Sequence, residues 1–139
     1  MNSAALRGLL LAALLTASAC AAPQPAGLTT QAGQFDLALG QSVEAGRDNL
    51  FVTFHEVLED SRCPQDMVCV WAGRARVVVG VDSGAGDQRY TLTLGEQQAG
   101  DTNRIKLDGL VFTLLDVRPY PVSSQGPDPE GYEITLDIR

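Results

Sequence analysis

The sequence predicts an all-β domain, an antiparallel sandwich or partly open barrel of about seven or eight short strands with one disulfide. Three observations carry this. From residue 35 onward, apolar residues recur at every second position in several runs, the period of a half-buried strand. Gly, Asp, Asn and Pro separate those runs at short intervals, as turns do. No stretch after the leader shows a 3.6-residue period.

The elements follow in order. Phe35, Leu37 and Leu39 alternate with Asp36 and Ala38, Gly40-Gln41 turns the chain, and residues 42–44 make a short second piece. After a polar turn at 45–49 comes a long strand over 50–58. Val52 and Phe54 share its inner face, but the next inward residue is Val57 and not Glu56, the one-residue shift of a β-bulge at His55-Glu56. Beyond the cysteines, Cys69, Trp71, Gly73, Ala75, Val77, Val79 and Val81 fall on one face, so Trp71 is expected inside, packed beside Cys69. A turn at 82–87 leads to Tyr90, Leu92 and Leu94 pointing in, with Thr91 and Thr93 out. A polar loop at 95–103 precedes a strand at 104–107, a hairpin signal at Asp108-Gly109 and a strand over 110–117. A proline-rich loop over 119–131 leads to Tyr132, Ile134, Leu136 and Ile138. The segments 50–57 and 110–117 are alike, including the late shift to Val57 and Val117, and read as two strands of like design in one sheet.

The first residues read as a leader. One positive charge at Arg7 precedes an apolar run over 8–15, too short for a membrane span of about 20 residues. Ser18-Ala19-Cys20 resembles the lipobox of bacterial lipoproteins, which implies cleavage before Cys20 and lipidation of its thiol. Ala17-Ser18-Ala19 would also serve ordinary signal peptidase. Three divisions follow: a leader at 1–19, the lipidated Cys20 with a tether rich in Ala, Gly, Pro and Gln over 20–34, and one domain over 35–139. Lipid on Cys20 leaves Cys63 and Cys69 as a pair in an oxidising compartment.

Composition excludes some partners. The formal net charge is −7, and Lys106 is the only lysine. A binder of nucleic acid needs a basic face, and none is visible. The membrane is therefore expected as a partner only through the N-terminal lipid. An envelope protein or cell-wall ligand is the expected partner of the domain itself.

Cys63 and Cys69 are spaced for a tight local staple worth about 2 kcal/mol. A redox pair would more often be Cys-x-x-Cys at a helix start. A soft metal site would draw on His55 and Met67 with both thiols, but this spacing lacks the short bite of structural zinc sites. No nucleophile setting accompanies Ser61, and 17 acidic residues make any choice of a carboxylate pair arbitrary. No catalytic residue, no cofactor and no enzyme activity are expected. Asp60 and Arg62 read either as a turn in which Arg62 pairs with a carboxylate, or as ligand recognition by Arg62. Tyr120, held between Pro119 and Pro121, suits recognition. The candidate binding residues are Arg62, Gln65, Asp66, Met67 and Tyr120.

The run Asp60-Ser61-Arg62-Cys63-Pro64, followed by Cys69-Val70-Trp71-Ala72-Gly73, resembles a group of uncharacterised small bacterial envelope lipoproteins that carry Asp-Ser-Arg-Cys-Pro and Cys-x-Trp-x-Gly. Similar members place a Pro-Tyr-Pro-like segment after a late strand, as Pro119 to Pro121 do here. The resemblance implies a lipid-anchored location in the cell envelope but no activity, and Ala21 rather than Asp after Cys20 resembles the diderm lipoproteins held at the outer membrane. The expected role is a non-enzymatic binding or structural module. The alternatives are an inhibitor presenting the 60–69 loop to an envelope enzyme, and a metal-handling protein.

Overall fold

In the computed structural model, residues 29–30, 33–45, 49–125, 128 and 130–139 are described. The leader, Cys20 and most of the tether lie outside them. Among the described residues there is no helix, and nine strands form two sheets.

The first sheet runs in the order β1 (Thr29–Thr30), β3 (Ser42–Ala45), β4 (Phe51–Asp60), β5 (Arg74–Asp82) and β6 (Asp87–Gly95). The second runs β2 (Gly33–Ala38), β9 (Glu133–Ile138), β8 (Leu110–Arg118) and β7 (Arg104–Leu107). Only the two-residue pairing of β1 with β3 is parallel. Strand pairing thus begins at Thr29 and Gly33, inside the stretch read as tether.

The period-2 patterning drives this arrangement. Each strand turns alternate residues inward, and the two inner faces bury Leu37, Val52, Phe54, Val77, Val79, Leu92, Phe112, Leu114, Ile134 and Leu136 completely. A fully buried side chain of this size contributes about 1.5–3 kcal/mol by leaving water. Asp108 and Gly109 both take positive φ, 51° and 81°, which is the hairpin turn that the Asp-Gly dipeptide foretells.

Both bulges are present. The β4–β5 register shifts between Phe54 and Glu56, and the β8–β9 register shifts between Leu114 and Asp116. The second shift returns Val117 to the core at 0% exposure. The two alike segments lie in opposite sheets, however, and not in one. Matching patterns do not distinguish strands of one sheet from strands of two.

Three other details depart from the pattern. Leu92 is buried, but Tyr90 and Leu94 are only half-buried. Thr93 points outward yet is 1% exposed, because the β6–β7 connection folds over it and the Thr102 carbonyl accepts the Thr93 N–H at 2.8 Å. Gly80 is buried in mid-strand, where His55 Nε2 and Asp87 Oδ2 approach to 2.9 Å above it. A Cβ at Gly80 would stand 1.9 Å from Asp87 Oδ1, so glycine makes room for this pair.

Candidate functional site

The link from β4 to β5 is a loop held at its neck by backbone hydrogen bonds. Ser61 donates to the Arg74 carbonyl at 2.8 Å, and Cys63 donates to the Ala72 carbonyl at 3.0 Å. Inside the neck, Cys63 and Cys69 form the expected disulfide, with their Cα atoms 5.9 Å apart. Pro64 opens a tight turn that closes where Met67 N–H meets the Pro64 carbonyl at 3.1 Å.

Arg62 fastens this loop to the second sheet. Its side chain is buried, and its planar fork meets the Asp60 carboxylate twice, Nε to Oδ1 at 2.8 Å and Nη2 to Oδ2 at 2.6 Å. Two more of its donors reach the carbonyls of Val117, at 2.5 Å, and Pro119, at 3.0 Å. Tyr132 donates its hydroxyl to Asp60 Oδ2 at 3.0 Å. Burial works against the guanidinium charge, but the Asp60 hydrogen bond and charge outweigh it and raise the Arg62 pKa above its usual value. Burial first, then Asp60, raises the Tyr132 phenol above its usual range.

The Pro119-Tyr120-Pro121 segment completes the clamp. Its prolines cannot donate but still accept, and the Pro121 carbonyl takes the Gln65 N–H at 3.0 Å. The Tyr120 ring lies against Arg62, whose Cζ is 4.4 Å from the ring centroid. Asp66 accepts the Ser123 N–H at 2.8 Å and the Ser123 hydroxyl as well.

A second charged cluster steadies the other flank. Arg74 engages Glu59 at 3.1–3.2 Å and Asp101 at 2.9 Å, and Ser61 donates its hydroxyl to Glu59 at 3.0 Å. Hydrogen bonds from Arg74 and then Ser61 hold Glu59 below its usual 4.5. The Gln98 N–H holds Asp101, and Ser123 holds Asp66, below the usual 3.8. Carboxyls with depressed pKa values add stability that is present above their unfolded values and lost as pH falls through the folded ones. Thermal melts should therefore be flat above about pH 5 and fall below about 4.5. Glu59→Gln with Asp101→Asn should flatten that acid limb, and an unchanged limb in this variant would refute the assignment.

The clamp leaves an apolar tip outside. Met67 is 54% exposed, Val68 101%, Val70 90% and Trp71 72%. This corrects the expectation for Trp71, which neither faces inward nor packs in the core beside Cys69. The alternation stops at Arg74, where β5 begins, and Gly73, at φ 71°, turns the chain away from the sheet. The signal was there in Gly73: a glycine within a strand pattern marks a break or a close approach. Trp71 instead stands beside an open groove of about 460 Å³ lined also by Glu59, Ser61, Arg74, Glu96 and Gln98.

The expected binding residues therefore divide. Gln65 and Met67 are exposed, and Tyr120 is partly so while stacked on Arg62. Asp66 is exposed but engaged by Ser123, and Arg62 is buried with four of its five guanidinium donors taken. Arg62 is thus corrected from a recognition residue to the pin of the loop. Val68 and Val70 are exposed residues that the pattern did not single out, and Trp71 joins them outside. The metal candidates are not assembled. His55 meets Asp87 in mid-sheet, Met67 sits in the loop tip, and both thiols of the pair are joined to each other. Among the described residues, no three His, Cys, Asp or Glu side chains group to hold a metal ion.

Fold and loop together define a disulfide-stapled all-β sandwich that displays an apolar loop at one pole. No family model, curated protein or solved structure matches this chain.

Proposed function

We propose that the protein is a non-enzymatic binding module of the cell envelope, anchored through lipid on Cys20, of the small lipoprotein type that its Asp60 to Gly73 motif resembles. The observation that carries the binding role is the exposure of Met67, Val68, Val70 and Trp71 on a loop fastened at its neck, its disulfide and its pin. Large apolar side chains gain little by facing water, and a contiguous group of them marks an interaction surface. Fixing the loop beforehand removes much of the ordering cost of binding, and a central tryptophan is a common anchor. An inhibitor of an envelope enzyme is a narrower form of this reading, because the same pinned loop would enter the enzyme's cleft.

The test uses the full chain in envelopes solubilised with mild detergent. The parent protein should migrate in an assembly larger than the isolated chain. Trp71→Ser with Val70→Ser should reduce it to the size of the isolated chain without a change in melting temperature, because exposed sites away from special features change stability by about 0.5 kcal/mol or less. Cys20→Ala should move the protein out of the membrane fraction. A parent already at the size of the isolated chain would remove the binding role, and a membrane-bound Cys20→Ala chain would remove the anchor.

A further inference from the structure

We propose that the apolar loop docks into an apolar pocket ringed by cationic side chains, on a protein that lies away from the leaflet holding the anchor. This rests on the binding-module reading and adds the partner's position and charge. Three observations converge on it.

The first is polarity. β1 and the start of β2 lie at one pole, where Gly33 pairs with Ile138, Thr30 with Ala45 and Glu44 with Phe51. The loop leaves from the opposite pole, where Asp60 pairs with Ala75 and Arg62 bonds the Val117 carbonyl. The nine rises of β4 from Phe51 to Asp60 separate these poles by about 30 Å. The nine residues from Cys20 to Thr29 reach about 32 Å at most. For the loop to point into its own bilayer, that stretch must run nearly taut along the whole sandwich. Any shorter span keeps the loop from pointing into that bilayer. An acidic chain is also repelled by an anionic lipid surface.

The second is the shape of the tip. Val68 and Val70 flank the disulfide, and Trp71 follows directly, so the apolar atoms form a projecting knob. A knob requires a recess, which assigns the concave side to the partner. The third is the charge around it. Glu59 and Glu96 line the groove beside Trp71, with Arg74 already engaged by Glu59 and Asp101. On the Gln65 flank, Asp116, Asp128 and Glu133 outnumber Arg118. Five carboxylates against two guanidiniums favour a cationic rim opposite. A second copy of this chain would bring the same acidic rim, and like charges set face to face oppose self-association.

A photoactivatable residue placed at Val68 of the full chain, irradiated in isolated envelopes, tests this. The expected result is one protein adduct, with the crosslinked peptide in an apolar recess bordered by Lys or Arg. Its yield should fall about five-fold or more in about 1 M salt, where charges are screened within about 3 Å. Glu96→Lys should lower it similarly at low salt, in a protein whose melting temperature matches the parent's. Adducts with lipid would overturn the orientation, and adducts with a second copy would overturn the charge argument. One protein adduct indifferent to salt and to Glu96→Lys would overturn the cationic rim while leaving the docking loop in place. The absence of any adduct would remove the proposal together with the reading beneath it.

Discussion

Arg62→Ala is expected to lower stability by about 3–5 kcal/mol, the usual result of removing one partner from a buried ion pair. At about 4 °C per kcal/mol for a domain of this size, the melting temperature should fall by about 12–20 °C. The side chains of Arg62 and Asp60 are only 5% and 7% exposed. Loss of the guanidinium would leave the Asp60 carboxylate with only the Tyr132 hydroxyl and the residue-62 backbone N–H, and the Val117 and Pro119 carbonyls would each lose a donor. The Val117 acceptor, being buried, costs more when orphaned than its intact bond contributes. Arg62→Lys should recover only part of the loss, since a point charge cannot meet a carboxylate and two carbonyls in one plane. Asp60→Ala combined with Arg62→Ala should cost less than the two single changes together by more than about 1 kcal/mol. Urea melts of the four proteins decide this. An Arg62→Ala midpoint close to the parent's would mean that Arg62 does not pin the loop.

The pin also explains which parts of the molecule can be read from the sequence. Strand positions depend on local pattern, and the runs at Ala75 to Val81 and Tyr132 to Ile138 carry theirs plainly. Bulges leave a local trace as well, because a shift of one residue moves the next apolar side chain, as at Val57 and Val117. Partnership across the sandwich leaves none. Residues 50–57 and 110–117 read alike, yet they belong to different sheets. The fate of Arg62 depended on Val117 and Pro119, more than fifty residues away, whose carbonyls bear no mark of their role. The disulfide could be inferred from the cysteine count and the oxidising compartment that the leader leads one to expect. The outward turn of Trp71 could not be taken from alternation, which continues through Gly73 as though the strand did.

Gly73 is where the second large effect is expected. Its φ of 71° is a conformation that side chains with a Cβ rarely adopt, and a Cβ built there would lie 1.9 Å from the Ser61 carbonyl oxygen and 2.6 Å from its carbon. These neighbours are backbone atoms of the loop neck, held by the Ser61–Arg74 and Cys63–Ala72 hydrogen bonds, so they cannot rotate away. Gly73 also accepts the Glu96 N–H at 3.0 Å, which ties the neck to the start of the β6–β7 connection. Gly84 separates strain from collision: it too has a positive φ, 89°, but nothing lies within 4 Å of its missing Cβ. Gly84→Ala should cost about 1–2 kcal/mol, the backbone penalty alone. Gly73→Ala should cost at least about 3 kcal/mol, because that penalty adds to a forced opening of the neck. Opening the neck would move Trp71 relative to Glu96 and Gln98, so its fluorescence should shift in the folded Gly73→Ala protein and stay unchanged in Gly84→Ala. Equal losses for the two variants, with no change at Trp71, would show that the close approach at the neck does not set the loop's position. The same geometry links stability to binding: one glycine lets the two chains of the neck touch, and that contact aims the tryptophan outward.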